Sequence, residues 1–83
     1  MSFVWDTLKA AANVQRHAIS FEEAQSVFRD PLAVTFDDQE HSALEPREIM
    51  IGHSDNGRLI FVCFTVRAED IRLISARQAT HVA

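Results

Sequence analysis

The stretch REIMIGHSDNGRLIFVCFTV, residues 47–66, decides the fold. Two apolar runs flank Ser54-Asp55-Asn56-Gly57, and an Asn-Gly pair between such runs is the strongest short-range signal for a hairpin, because both residues accept positive φ. Within the second run the side chains alternate, so Leu59, Phe61, Cys63, Thr65 and Arg67 share one face and Arg58, Ile60, Val62, Phe64 and Val66 the other. Both faces are largely apolar. A strand with one wet side would place a polar residue at every second position, so this one is expected at the centre of a sheet, covered on both sides.

Downstream, RAED (67–70) reads as a turn and IRLISAR (71–77) as the last strand, with Ile71, Leu73, Ser75 and Arg77 on one face and Arg72, Ile74 and Ala76 on the other. Arg77 thus emerges from an aliphatic face. Two readings compete: its stem packs while the guanidinium reaches water or an acid such as Glu48, or it marks the rim of an anion-binding concavity.

Upstream, LAVTF (32–36) alternates as a further strand and DDQEHSALEP (37–46) is an acidic surface connection. ISFEEAQSVFRDP (19–31) is a helix: Ser20 and Glu23 make a capping box, Ile19 is placed to staple to Ala24, and Asp30 before Pro31 closes it. SFVW (2–5) forms a short opening strand. Behind it Asp6 caps a helix reaching Arg16 or His17, with Leu8, Ala11, Ala12 and Gln15 as a narrow, Ala-rich packing stripe. Two N-terminal helices packed on a mainly antiparallel sheet of about four strands make an α+β fold, and 83 residues make it a single domain, 1–83. Two helices cover one sheet face, so the other needs a further helix or a partner chain.

Composition narrows the function. At 47% hydrophobic and 24% charged, with no long apolar run and no secretion signal, the chain is expected in the cytoplasm. Net charge is −4, but it is unevenly placed. Asp37 to Glu48 is acidic around a lone Arg47, whereas the cations from Arg58 onward (Arg58, Arg67, Arg72, Arg77) are all arginine, the side chain whose planar fork suits phosphate. Cys63 reads as a small buried hydrophobe. His17, His41, His53 and His81 show no ligand spacing with it, so neither a metal site nor a cofactor is expected, and two glycines build no phosphate loop.

Several motifs together carry a resemblance: Trp5-Asp6, Lys9, Asn13, His17, the run Ser20 to Ala24, Phe28, Asp30-Pro31, Arg47, Gly52, Gly57-Arg58 and Ile74-Ser75-Ala76-Arg77. In this order they resemble the BrnT family of type II toxins. The resemblance implies a RelE-like ribonuclease that halts translation. It further implies a BrnA-type antitoxin with a ribbon-helix-helix domain, through which alone the pair meets operator DNA.

Two departures stand out. The family's Lys-His-Gly is Arg16-His17-Ala18 here, which predicts a strained or reshaped turn between the helices. Family members also run past the SAR strand into a segment rich in Arg, Lys and Glu, whereas this chain stops at THVA. The expectation is less positive charge and an apolar surface open to a partner or a homodimer. A docking module without cleavage therefore stands as the rival reading.

RNA cleavage without metal needs help in deprotonating the 2′-OH and cations for the phosphorane charge. Arg58, Arg67 and Arg77 are the candidates for charge stabilisation, expected to converge at one edge of the sheet. His17 is the acid/base candidate, because imidazole titrates nearest neutrality, with Glu48 as a weaker base. Lys9, Arg16 and Arg72 are the candidates for holding substrate phosphates.

Overall fold

Every β-forming run in the chain enters one sheet in the computed structural model, which describes residues 2–41 and 45–79. The strands are β1 (Ser2–Val4), β2 (Val34–Asp37), β3 (Glu48–His53), β4 (Leu59–Arg67) and β5 (Asp70–Gln78), in the spatial order β1-β5-β4-β3-β2. β2 to β5 form the expected antiparallel meander, joined at Gly57 (φ 76°) and at Ala68 (φ 51°). The expectation of about four antiparallel strands is corrected by β1, which adds a fifth, parallel to β5. A parallel pair needs a crossover; here the chain from the first helix to β4 supplies it.

Helix α1 (Thr7–His17) starts at Asp6, whose carboxylate accepts from the amides of Leu8 (2.8 Å) and Lys9 (3.0 Å). It ends at Ala18, which takes the left-handed conformation (φ 57°, ψ 32°). The turn is therefore the one a glycine would adopt, held with an alanine at a cost of roughly 1–2 kcal/mol. The Leu8/Ala11/Ala12/Gln15 stripe does not pack: all four are exposed, Leu8 at 81%. The residue of α1 that is buried is Asn13.

Helix α2 (Phe21–Ser26) runs into a 3-10 turn at Val27–Arg29. Ser20 caps it by accepting from the Glu23 amide at 3.0 Å, but the capping box is only half formed, since the Glu23 carboxylate is used elsewhere. Ile19, Phe21, Ala24 and Val27 pack against Ile60, Val62, Phe64, Ile71, Leu73 and Ala76. Phe28 sits edge-on between Phe3 and Phe64, centroids 4.9 and 5.0 Å away. Gly52 lets β3 close onto this layer: a Cβ there would lie 2.7 Å from that of Ala33.

β4 is central, as expected, but its reverse face is covered only in part, where Thr65 is buried and donates to the Pro46 carbonyl. Ile60, Val62 and Phe64 are buried beneath the helix layer, while Phe61 and Cys63 on the reverse side are half-buried and Leu59 is exposed. Between Cys63↔Ser75 and Phe64↔Leu73 the register slips, leaving Ile74 as an extra residue in β5. This bulge inverts the strand's parity. Ile71, Leu73 and Ala76 face the core, and Arg77 pairs with Phe61 on the open face.

Candidate functional site

β1 pairs with β5 only from Asp70 to Arg72. Farther along, the backbone of Ala76 would face an unfilled edge, and Asn13 fills it. Its amide nitrogen donates to the carbonyls of Ala76 (2.8 Å) and Ile19 (2.9 Å), and its oxygen accepts from the Ala76 amide (3.0 Å). One buried side chain thus stands in for a neighbouring strand and satisfies groups that would otherwise be costly to bury. It also pins α1 beside β5.

That docking creates a cleft of about 230 Å³ between Lys9, Ala12, Asn13, Arg16 and His17 of α1 and Ile74 and Ser75 at the bulge. A second cleft, about 300 Å³, opens on the partly covered face between Ile49, Phe61, Cys63, Ile74, Ser75 and Arg77, with Asp38, Glu40 and Arg47 around it. Ile74 and Ser75 line both. The two clefts therefore adjoin at the bulge, on either side of Ile74 and Ser75.

Arg77 lies with its guanidinium 4.7 Å from the centre of the Phe61 ring. The ring face attracts the cation and orients it without consuming its donors. Among the described residues Arg77 forms no ion pair. Burial pushes the Cys63 thiol up from its ordinary value, with Asp38 adding to the shift, so the sulfur stays protonated and is no nucleophile.

The convergence of Arg58, Arg67 and Arg77 is not found. Arg58 belongs to the helix-covered face, where its guanidinium forks onto Glu23: Nε donates at 2.9 Å, one terminal nitrogen bonds the other oxygen, and that nitrogen also reaches the Ala18 carbonyl at 3.0 Å. The Ser54 hydroxyl adds a bond to Glu23 at 2.7 Å. The Arg58 hydrogen bond holds the Glu23 carboxyl below its ordinary range, against desolvation and with help from Ser54. Arg67 pairs with Glu45 through two bonds of 2.9 and 3.0 Å. It stands six residues from Phe61 along β4, roughly 20 Å from the Arg77 end. Arg72 faces the open side opposite Thr65 and, with Lys9, acts on the Asp6 carboxylate at the start of α1.

Of the eight residues singled out from the sequence, Lys9, Arg16, His17 and Arg77 line the two clefts, Arg72 flanks α1, Arg58 and Arg67 stand apart, and Glu48, opposite Phe64, lines neither cleft. Arg47, Ser75 and Phe61 were not assigned to the site. Arg47 was visible as the one cation in an acidic stretch, whereas Ser75 and Phe61 depended on the bulge. Among the described residues no group of His, Cys, Asp and Glu is arranged to hold a metal ion, and no described helix is long and apolar enough to cross a membrane.

Residues 5–82 match the family model described as the ribonuclease toxin BrnT of type II toxin-antitoxin systems. The crystal structure of the Brucella abortus ribonuclease toxin BrnT superimposes with a TM-score of 0.76 at 25% sequence identity, covering 98% of this chain and 99% of that one. The fold is thus like that of BrnT, with a five-stranded mixed sheet in place of the four-stranded RelE-like arrangement expected above. No curated protein sequence matches the chain.

Proposed function

The chain belongs to the BrnT family of ribonuclease toxins of type II toxin-antitoxin systems, and from that premise we propose that it cleaves RNA, without a metal, in the groove between α1 and the open face of β5. The observation that supports this reading is that Ile74 and Ser75 line both clefts, the one with Lys9, Arg16 and His17 and the one with Arg77.

In this groove Lys9 and Arg16, two helical turns apart on α1, hold successive phosphates. Arg77 lays its fork on the non-bridging oxygens of the scissile phosphate, where charge grows as the 2′-oxygen attacks phosphorus. His17 removes the 2′-OH proton. The 5′-oxygen leaves with a proton from solvent, giving a 2′,3′-cyclic phosphate and a 5′-hydroxyl. Arg72 extends the cationic track past the start of α1. Arg58 and Arg67 take no part, since each already meets a carboxylate outside the groove.

The same reading sets the protein in the cytoplasm, with a BrnA-type antitoxin as the partner that neutralises it and contacts operator DNA. The test is incubation of the purified, antitoxin-free chain with RNA. Wild type is expected to cleave, Arg77→Ala to be slower by roughly 10²–10³-fold, as for loss of one oxyanion donor, and Arg67→Ala to match wild type. RNA left intact by the wild type overturns the proposal.

A further inference from the structure

The open-face cleft has a chemistry that phosphate binding does not explain. Its floor, from Ile49, Cys63, Ile74 and the part of Phe61 that Arg77 leaves uncovered, is apolar, a surface for a base rather than for a phosphate. Its lining also carries two carboxylates, Asp38 and Glu40, and the guanidinium of Arg47. Carboxylates beside a phosphate track repel the backbone, so a nucleic acid seated here must offer them hydrogen-bond donors. It must also offer acceptors to the arginine.

Guanine meets both demands. Its N1–H and N2–H₂ face outward together, as donors matched to the two oxygens of a carboxylate, while O6 and N7 form the acceptor pair that an arginine fork takes. Adenine lacks both paired edges, and cytosine and uracil lack a paired donor edge. Asp38 and Arg47 already have interactions within the protein; a carboxylate can accept about four bonds and a guanidinium donate five, so a single partner fills neither type of group. Arg77, at the end of the same cleft, is left to the phosphate attached to the seated nucleotide.

We infer that this cleft is a nucleobase pocket that selects guanine next to the cleaved phosphate, an inference that rests on the RNA-cleaving reading of the groove. The measurement is calorimetric titration of the full chain with GMP, inosine monophosphate, AMP, CMP and UMP, which involves no cleavage. GMP is expected to bind about tenfold or more tightly than AMP, CMP or UMP, the discrimination of one good bidentate pair. Inosine monophosphate, lacking only the 2-amino group, is expected to lose most of that advantage. Asp38→Asn changes a half-buried residue and Glu40→Gln an exposed one, and loss of the GMP preference in one or both supports the inference. Survival of the preference in both, equal binding of all the nucleotides, or binding of none, overturns it. A chain that cleaves RNA yet shows no preference loses the guanine pocket and keeps the nuclease reading. One that prefers GMP but leaves RNA intact does the reverse.

Discussion

Arg58 and Arg77 stand at the same end of neighbouring strands, for Phe61 pairs with Arg77 and Ile60 with Gln78, yet they lie on opposite faces of the sheet and meet opposite fates. Arg58 points toward the helix layer and is fixed by Glu23, itself buried, so its charge is neutralised in place. Arg77 points to the open side and rests on an aromatic ring. The first joins the Ser54–Arg58 turn to α2 and to the α1–α2 connection. The second keeps its donors for a ligand. A count of arginines along the sequence does not separate these two uses, because what separates them is whether a carboxylate shares the face.

Removing Glu23 should break the comparison most strongly. Glu23→Ala leaves a guanidinium without its carboxylate on the covered face and is expected to cost about 3 kcal/mol, the low end for splitting a buried pair because one side of Arg58 reaches water. Chemical denaturation measures it. Arg77→Ala should leave the same unfolding midpoint unchanged while slowing RNA cleavage. If both variants lose stability alike, the contrast fails. The pair also has a pH signature. The folded Glu23 carboxyl lies below its ordinary value of 4.5, so its contribution is fully present above that pH and is lost as pH falls through the lower folded value. Glu23→Gln should flatten this part of the acid limb.

Asn13 gives a sharper probe of how α1 is held. Asn13→Asp keeps the acceptor for the Ala76 amide but removes both donations, so a carboxylate faces the Ile19 and Ala76 carbonyls. A loss of about 2 kcal/mol at neutral pH is expected. The sign with pH is opposite to that of Glu23: the aspartyl pKa is raised in the folded state, so stability is regained on acidification below it and lost as pH rises. A variant insensitive to pH would show that the amide bridge is not what pins the helix.

The smallest expected effect is at Ala18. Glycine adopts its left-handed conformation without the Cβ clash, so Ala18→Gly should raise stability by about 1 kcal/mol, detectable as a higher Tm. No change would mean that the turn relaxes around alanine.

The sequence by itself determined the elements: period-two alternation and Asn56-Gly57 specified the meander, and Ser20 and Asp6 specified where the helices begin. It also marked four of the cleft residues, because cations and a histidine near helix α1 and in the last strand are visible as residue types. Three-dimensional packing alone decided which of them meet. A single extra residue at Ile74 inverts the parity of β5 and sends Arg77 to the open face, and nothing in the strand's own pattern announces where a bulge falls. In the same way Glu23 reads as half of a local capping box, but its buried carboxylate gains more from the distant Arg58 fork than from its own helix terminus. Local periodicity fixes what each segment can become; which side chains share a face is settled only when strands choose register against one another.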